Sequence, residues 1–449
     1  MSEFEEHRKK ALEQKSRQDR LKFFSDSDQN FFIFLFELII LGILLAALTS
    51  LAFPSTGQNQ GKTTEAAKNL SATATWTAAG DIVFHGPILE SDTYYNSEEN
   101  TYNYDPIFDY CRPLLEQADI STVTLESSLA GEDAGYSGYP MFRAPDALAD
   151  SLAGCGFDIV NLASNHLLDG GDEGLLRTMD VLKEKDLSYM GTRSDEKQKR
   201  YEIVDVNGIK VGVISYVYET TEDGAETSIN ALPVSDDIAP LINSFDYNDL
   251  DTFYKEMEES LNAMKQEGAQ YTIAYMHWGT EYQTTQSEEQ EEIAQKLCDM
   301  GIDTLIGSHP HVIQPVDVLT SSDKGHQMLC AYAIGNFLSN QQIEYMQDEL
   351  PTGETEDSYL LSLSLSSDAK GKVSLTDVTF TPMWTHRYEG ENGAVFVVLP
   401  VNDTKNLESQ TGIPDIKEQA DESAARTQAI IGDGIKKVEK ALPLKGLSH

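Results

Sequence analysis

The sequence predicts an α/β sandwich, with a sheet buried on both faces and flanked by helices, behind one N-terminal membrane-spanning helix. Two observations predict it. From Thr73 onward, short runs rich in apolar and β-branched residues alternate with amphipathic helical patterns, and residues 31–53 form one long apolar stretch. Strands that alternate with helices assemble into a sheet with the helices on its faces.

In chain order, residues 1–30 are a charged front segment. Residues 31–53, FFIFLFELIILGILLAALTSLAF, are apolar for 23 positions with Glu37 as the only charge, long enough to cross a bilayer. Lys15, Arg17, Arg20 and Lys22 precede this run, and only Lys62 and Lys68 follow nearby. The bias places the N-terminus in the cytoplasm and the main domain outside the cell, as a single-pass membrane protein. Ser50-Leu51-Ala52 resembles a cleavage site, so a signal peptide competes; the long front segment and long apolar run favour an uncleaved anchor. Residues 54–72 are polar and poor in aromatics, the composition of a flexible tether.

Strands are predicted at Thr73–Ala79, Ile120–Leu125, Phe157–Ala163, Val211–Val217, Tyr271–Met276, Asp303–Ile306 and Met328–Ile334. Helical patterns fall at Ala144–Gly154, Asp172–Lys185, Leu250–Gly268 and Glu288–Gly301. The acidic stretch Gln342–Asp357 reads as an exposed loop. Tyr359–Ser366, Lys372–Pro382 and Ala394–Val401 read as further strands, antiparallel in arrangement. This gives one folded domain over residues 73–401 and a charged helical tail over 402–449. No internal repeat is visible.

Charge narrows the partners. The chain has 33 Lys+Arg against 74 Asp+Glu, a net −41. Such a surface repels nucleic acid, so a DNA or RNA partner is excluded. The four cysteines, Cys111, Cys155, Cys298 and Cys330, lack metal-finger spacing and sit singly in apolar segments. They read as buried free thiols.

The chemistry gathers at strand ends. The first strand ends in Gly80-Asp81, the second in Glu126, the third in Ser164-Asn165-His166; later ones end in His277-Trp278, Ser308-His309-Pro310-His311 and Gly335-Asn336. Ligands of open α/β sheets bind outside the carboxyl ends of the strands. Singly, each residue has a plain reading as a turn, a cap or a surface side chain. Six coinciding ends favour a site. Carboxylate, amide oxygen and imidazole without thiolate suit one or two divalent ions of the Mn, Fe or Zn kind. A two-metal centre needs a bridging carboxylate, which Glu126 supplies, with Asp81 as a second candidate. Asn165, His277, His309 and His311 complete the candidate ligands, and His166 is the candidate for proton transfer. Asp169 either orients His166 or caps the helix that starts near Gly171. Trp278 and Tyr282 either stack on substrate or pack as wall. Arg143 either meets an anionic substrate or pairs with a surface carboxylate, and Asn336 is a further substrate-contact candidate.

These blocks, A-G-D-I, T-L-E, F-D-I-V-N-L-A-S-N-H-L-L-D-G-G, H-W-G-T-E-Y, I-G-S-H-P-H-V-I-Q and I-G-N-F, resemble the poly-γ-glutamate capsule biosynthesis CapA family, which is related to calcineurin-like metallophosphoesterases. The resemblance runs from Ala78 to Phe337, with weaker similarity to Val401. It implies a metallophosphatase-like sandwich of mixed sheets, metal positions at Asp81, Glu126, Asn165, His277, His309 and His311, and a catalytic-type histidine at His166. It also implies a role in synthesis or export of an anionic capsule polymer, with synthase subunits as partners. Two positions depart from the phosphoesterase pattern. Asp81 is followed by Ile82-Val83 rather than by a histidine two residues on, leaving His85 as the nearest imidazole; Glu126 stands where an aspartate is usual. A metal-dependent phosphoesterase and a non-catalytic scaffold of a membrane synthase are the alternatives.

Overall fold

The computed structural model describes residues 72–221 and 227–441. The front segment, the proposed anchor at 31–53 and the tether up to residue 71 lie outside the described residues, as does the end of the tail from residue 442. Among the described residues, no helix is long and apolar enough to cross a membrane.

The main strands are β1 (Thr73–Ile82), β2 (Ile120–Leu125), β3 (Ile159–Asn161), β4 (Ser188–Met190), β5 (Tyr201–Val206), β6 (Ile209–Tyr218), β7 (Ser244–Phe245), β8 (Tyr271–His277), β9 (Thr304–Ser308), β10 (Val316–Thr320), β11 (Gln327–Ala331), β12 (Asn336–Leu338), β13 (Asp357–Ser367), β14 (Val373–Gly390) and β15 (Gly393–Pro400). The longer helices are α1 (Ala147–Cys155), α2 (Gly171–Glu184), α3 (Leu250–Gln266), α4 (Glu288–Met300) and α5 (Ile416–Ala441). The strands form two large sheets, as the family resemblance implies, where the residue pattern alone was read as a single sheet. The first has the order β15-β14-β13-β1-β2-β3-β4, with β12 also paired to β1; the second is β7-β6-β8-β9-β11-β10, with β5 on β6. Parallel pairing links β1 through β4 in one sheet and β6, β8, β9 and β11 in the other. The late strands β13, β14 and β15 pair antiparallel, as their alternating pattern predicts.

Burial on both faces explains why the parallel strands read as continuous apolar runs. One face of β1, with Trp76 and Ala78, packs against Val213, Ile273 and Tyr275 of the second sheet. The opposite face of the first sheet lies under α1 and α2, and that of the second under α3 and α4. The result is helix, sheet, sheet, helix. Within the apolar layer between the sheets, Trp76 Nε1 donates to Tyr275 Oη at 2.9 Å, and that hydroxyl meets Thr122 Oγ1 at 2.8 Å. Ser287 and Gln290 form a capping box at the start of α4, satisfying two otherwise orphaned N–H groups. Gln290 also donates to Gln314 Oε1 at 2.9 Å, tying the helix to the loop that follows His311.

The stretch Gln342–Asp357 is exposed only in part. Gln342, Met346, Thr355, Glu356 and Asp357 are buried, because its ends are pinned between β12 and β13. Helix α5 buries Ile431 and Val438 against the inter-sheet core. Its Arg426 grips Asp357 through Nε at 2.6 Å and Nη2 at 2.8 Å, and Ser423 Oγ donates to the same carboxylate at 2.6 Å.

Candidate metal centre

Parallel strands point their carboxyl ends the same way, so residues just past them share one edge. The register aligns Asp81 with Asn336 and Thr124, and His277 with Ser308. Close approach is built in: a Cβ on Gly80 would lie 1.9 Å from Gly335 O, so only glycine lets Asp81 N–H donate to that oxygen at 3.0 Å. After β9 the chain turns sharply. His309 (φ 97°) and His311 (φ 59°) both take left-handed backbone, a conformation that costs a non-glycine residue and clusters at functional sites. The turn around Pro310 aims both rings inward, and Tyr282 N–H donates to Pro310 O at 2.8 Å.

The six metal candidates converge. The first sheet supplies Asp81, Glu126 and Asn165, and the second supplies His277, His309 and His311; all six are buried. His277 Nε2 lies 2.9 Å from Asn165 Oδ1 and 3.2 Å from Glu126 Oε1, while His311 Nε2 lies 3.8 Å from Glu126 Oε2. Ligand-type atoms of Glu126, His277 and His309 fall within 4.8 Å of one another, and so do those of Asp81, Glu126 and His311. Glu126 belongs to both groups, the placement of a bridge between two ions.

The buried polar atoms test whether an ion fits. Asp81 Oδ1, both Glu126 carboxylate oxygens and His309 Nδ1 have no hydrogen-bond partner. A buried carboxylate without partners is costly, and a cation among these atoms relieves that cost. Burial pushes Asp81 up to about 7, although the His309 N–H works against it, and pushes Glu126 well above the ordinary carboxylate range. Burial also drives His277 and His309 far below the usual imidazole value, and His311 down to about 3. Neutral imidazoles keep the lone pair that coordination needs. The donor set could hold a metal ion.

Other side chains orient these ligands. Ser308 Oγ lies 2.8 Å from His277 Nδ1, and Asn336 Oδ1 lies 3.1 Å from His311 Nδ1. Asn336 is fully buried, with its amide nitrogen directed to Ser339, Gln341 and Thr355, so it braces His311 from behind the cleft. His166 Nδ1 sits 2.8 Å from Asp169 Oδ2, and α2 starts without a side-chain cap, so Asp169 holds the imidazole rather than the helix end.

A cleft of about 210 Å³ opens onto the site, with His85, Tyr139, His166, Glu281, Tyr282 and His311 on its walls. His85 turns Nδ1 to Val83 O at 3.0 Å and joins none of the ligand groups. Trp278 faces away from the cleft, fully buried on Tyr332 with Nε1 donating to Tyr332 O at 3.0 Å. Arg143 spends its guanidinium on its own loop, at Ser137 Oγ (3.0 Å) and Ala134 O (2.7 Å). Sequence reasoning passed over Glu281 and Ser308. Glu281, exposed at the cleft mouth, stands within 4.8 Å ligand-atom range of His309 and His311, and the partial loss of water around its carboxyl raises it. A larger groove of about 1020 Å³ between β4 and β5 contains none of these residues, and size alone gives it no chemistry.

The sequence pattern of the bacterial capsule synthesis protein PGA_cap matches residues 75–341, more than half of the chain and every metal candidate. The chain belongs to this family. It is 28% identical over 272 residues to the capsule biosynthesis protein CapA of Bacillus anthracis, covering 60% of each protein. It is 23% identical over 286 residues to the PGA biosynthesis protein CapA of Bacillus subtilis (strain 168), covering 61% of this chain and 65% of that one. The matches thus span less than two thirds of either relative's length. Among solved structures, a calcineurin-like phosphoesterase, YfkN from Bacillus subtilis, aligns with 70% of this chain and 91% of its own at 17% identity and a TM-score of 0.39.

Proposed function

We propose that this family member is a metal-dependent hydrolase of the phosphoesterase type, held at the outer face of the cell membrane by residues 31–53. In this reading it serves synthesis or export of an anionic capsule polymer such as poly-γ-glutamate, beside synthase subunits. The observation that carries the hydrolase reading is the cluster of unpartnered buried ligand atoms on Asp81, Glu126 and His309. The names of the relatives support the capsule role.

Asp81, Glu126, Asn165, His277, His309 and His311 would hold one or two ions of Mn, Fe or Zn. Such ions, when bound, polarise a phosphoryl oxygen and acidify water. The chain's own groups do the rest. His166 lies on the cleft wall with Asp169 on Nδ1, which leaves Nε2 to hold or pass a proton at the leaving oxygen. Glu281 at the mouth, within ligand-atom range of His309 and His311, is a further carboxylate that could reach an ion there.

Metal analysis and turnover of a generic phosphodiester by the purified protein test this. His309→Ala should lower bound metal. His166→Ala should keep the metal and lose about 10²–10⁴ in rate. Full metal content in a His309→Ala/His311→Ala double variant would end the metal-centre reading. One observation favours a scaffold instead: His85 stands outside the ligand groups, so one ion position lacks the second imidazole of the phosphoesterase pattern. A scaffold predicts normal capsule output from His166→Ala.

A further inference from the structure

The connection between β1 and β2 begins at His85 on the cleft wall and contains three helices, Gly86–Leu89, Asp105–Phe108 and Arg112–Leu115, of 4 residues each. Helices this short do not hold themselves. Burial does: Tyr94, Tyr104, Phe108 and Cys111 pack into one cluster with Leu148, Leu152 and Cys155 of α1. There Cys111 Sγ lies 4.0 Å from Cys155 Sγ, and both residues are fully buried. The Cys111 thiol donates to Phe108 O at 3.1 Å, and Cys155 Sγ lies 3.9 Å from the same oxygen. Two thiols in an apolar cluster therefore touch each other and share one acceptor.

We propose that Cys111 and Cys155 form a disulfide when the chain folds in an oxidising compartment, stapling the β1–β2 connection to α1. The sulfurs must close from 4.0 Å to a bond of about 2.05 Å. Both sit where the backbone yields: Cys111 lies between two short helices, and Cys155 ends α1 just before Gly156 (φ 102°). Cys298 and Cys330 belong to a different cluster, on the outer face of the second sheet. The redox step balances with a small disulfide such as oxidised glutathione. One protein thiolate attacks it and releases a glutathione thiol; the second protein thiolate then displaces the other glutathione. Two protein thiols lose two electrons and two protons, and one glutathione disulfide becomes two thiols. In the folded chain, burial raises the Cys111 thiol far above its ordinary value, and both sulfurs are shut away from solvent. Exchange therefore belongs to folding, and the finished bond is sealed from reductant.

The test uses the full-length chain, folded with a mixture of oxidised and reduced glutathione. The product is denatured without reductant, labelled with N-ethylmaleimide and mapped by peptide mass. The Cys111 and Cys155 peptides should appear linked, lighter by two hydrogens and unlabelled, with Cys298 and Cys330 labelled. Label on both Cys111 and Cys155 in chain that melts cooperatively overturns the proposal. Closing a loop whose ends are 44 positions apart should also raise the melting temperature by roughly 3–5 °C over the same protein treated with dithiothreitol. Cys111→Ala and Cys155→Ala, made singly, should each abolish that difference. A wild-type melting point that ignores the reductant overturns the stapling role as well.

Discussion

Two buried carboxylates show opposite designs. Asp357 in β13 receives Arg426 through two nitrogens and Ser423 through its hydroxyl, so its charge is answered inside the fold. Glu126 is as deeply buried, yet neither of its oxygens has a hydrogen-bond partner, and its nearest neighbours are neutral imidazoles. One acid fastens α5 to the sandwich; the other leaves both oxygens without a partner. Burial is common to the two, and the withheld partners are what set Glu126 apart as a candidate ligand.

The sharpest way to break this contrast is to remove each acid. Asp357→Ala leaves Arg426 only the longer contact to Glu356 at 3.9 Å and should cost about 3–5 kcal/mol in chemical denaturation, with metal content per folded molecule unchanged. Glu126→Gln should do the reverse, abolishing most metal binding while the metal-free protein stays at least as stable as wild type. Equal metal loss from both variants would erase the distinction.

Proton linkage gives a smaller effect in which the two acids resemble each other: burial lifts Asp357 to about 7 as well, despite Arg426. In metal-free protein Asp81 titrates at about 7 against an ordinary 3.8, through burial, and Glu126 is raised as well. A carboxyl that keeps its proton when folded and loses it when unfolded costs stability as pH rises between those two values. The lowered imidazoles of His277, His309 and His311 work the other way below about pH 6.5, so the carboxyl share is read by difference: between pH 5 and pH 8 chelated wild type should lose stability relative to Glu126→Gln, by on the order of a few kcal/mol. Metal-loaded protein should show the opposite slope, because the ion and protons compete for the same oxygens. The same pH dependence in chelated wild type and Glu126→Gln would contradict the raised Glu126 carboxyl.

The smallest effect concerns orientation. Ser308→Ala removes the hydroxyl on His277 Nδ1 and should weaken metal affinity about 10- to 100-fold without unfolding the protein. Unaltered affinity in equilibrium dialysis would mean that packing alone orients the ring.

Much of this was legible in the sequence because strand ends advertise themselves. Asp81, Glu126, Asn165, His277, His309 and His311 each follow an apolar run at a point where the chain must turn, and parallel pairing gathers such points on one edge. Which strand joins which of the two sheets was not legible. A strand buried on both faces carries the same apolar pattern whichever sheet it joins. Trp278 was ambiguous for a related reason: successive side chains at a strand end point to opposite sides, so the residue after an inward His277 turns into the core. Ser308 carries no signal of its own, since a serine at a strand end is commonplace. Glu281 did have one, inside the H-W-G-T-E-Y block, in the shape of a carboxylate four residues beyond a ligand-type histidine.

The hydrogen-bonded link from Trp76 through Tyr275 to Thr122 spans the same two sheets that divide the ligands between them. An ion seated at Glu126 would be a further rivet across that joint, placed at the edge where the Trp76 link, deep in the layer, exerts least leverage. The ion would add to bonds that already cross the joint, such as Ser215 Oγ to Asn161 Oδ1 at 2.7 Å and His309 N–H to Asp81 Oδ2 at 3.0 Å, and part of the metal's binding free energy becomes resistance to the sheets sliding apart. Starved of metal, the sandwich keeps these bonds and loses the tie at its edge, so the rim of the cleft is where it would first begin to gape.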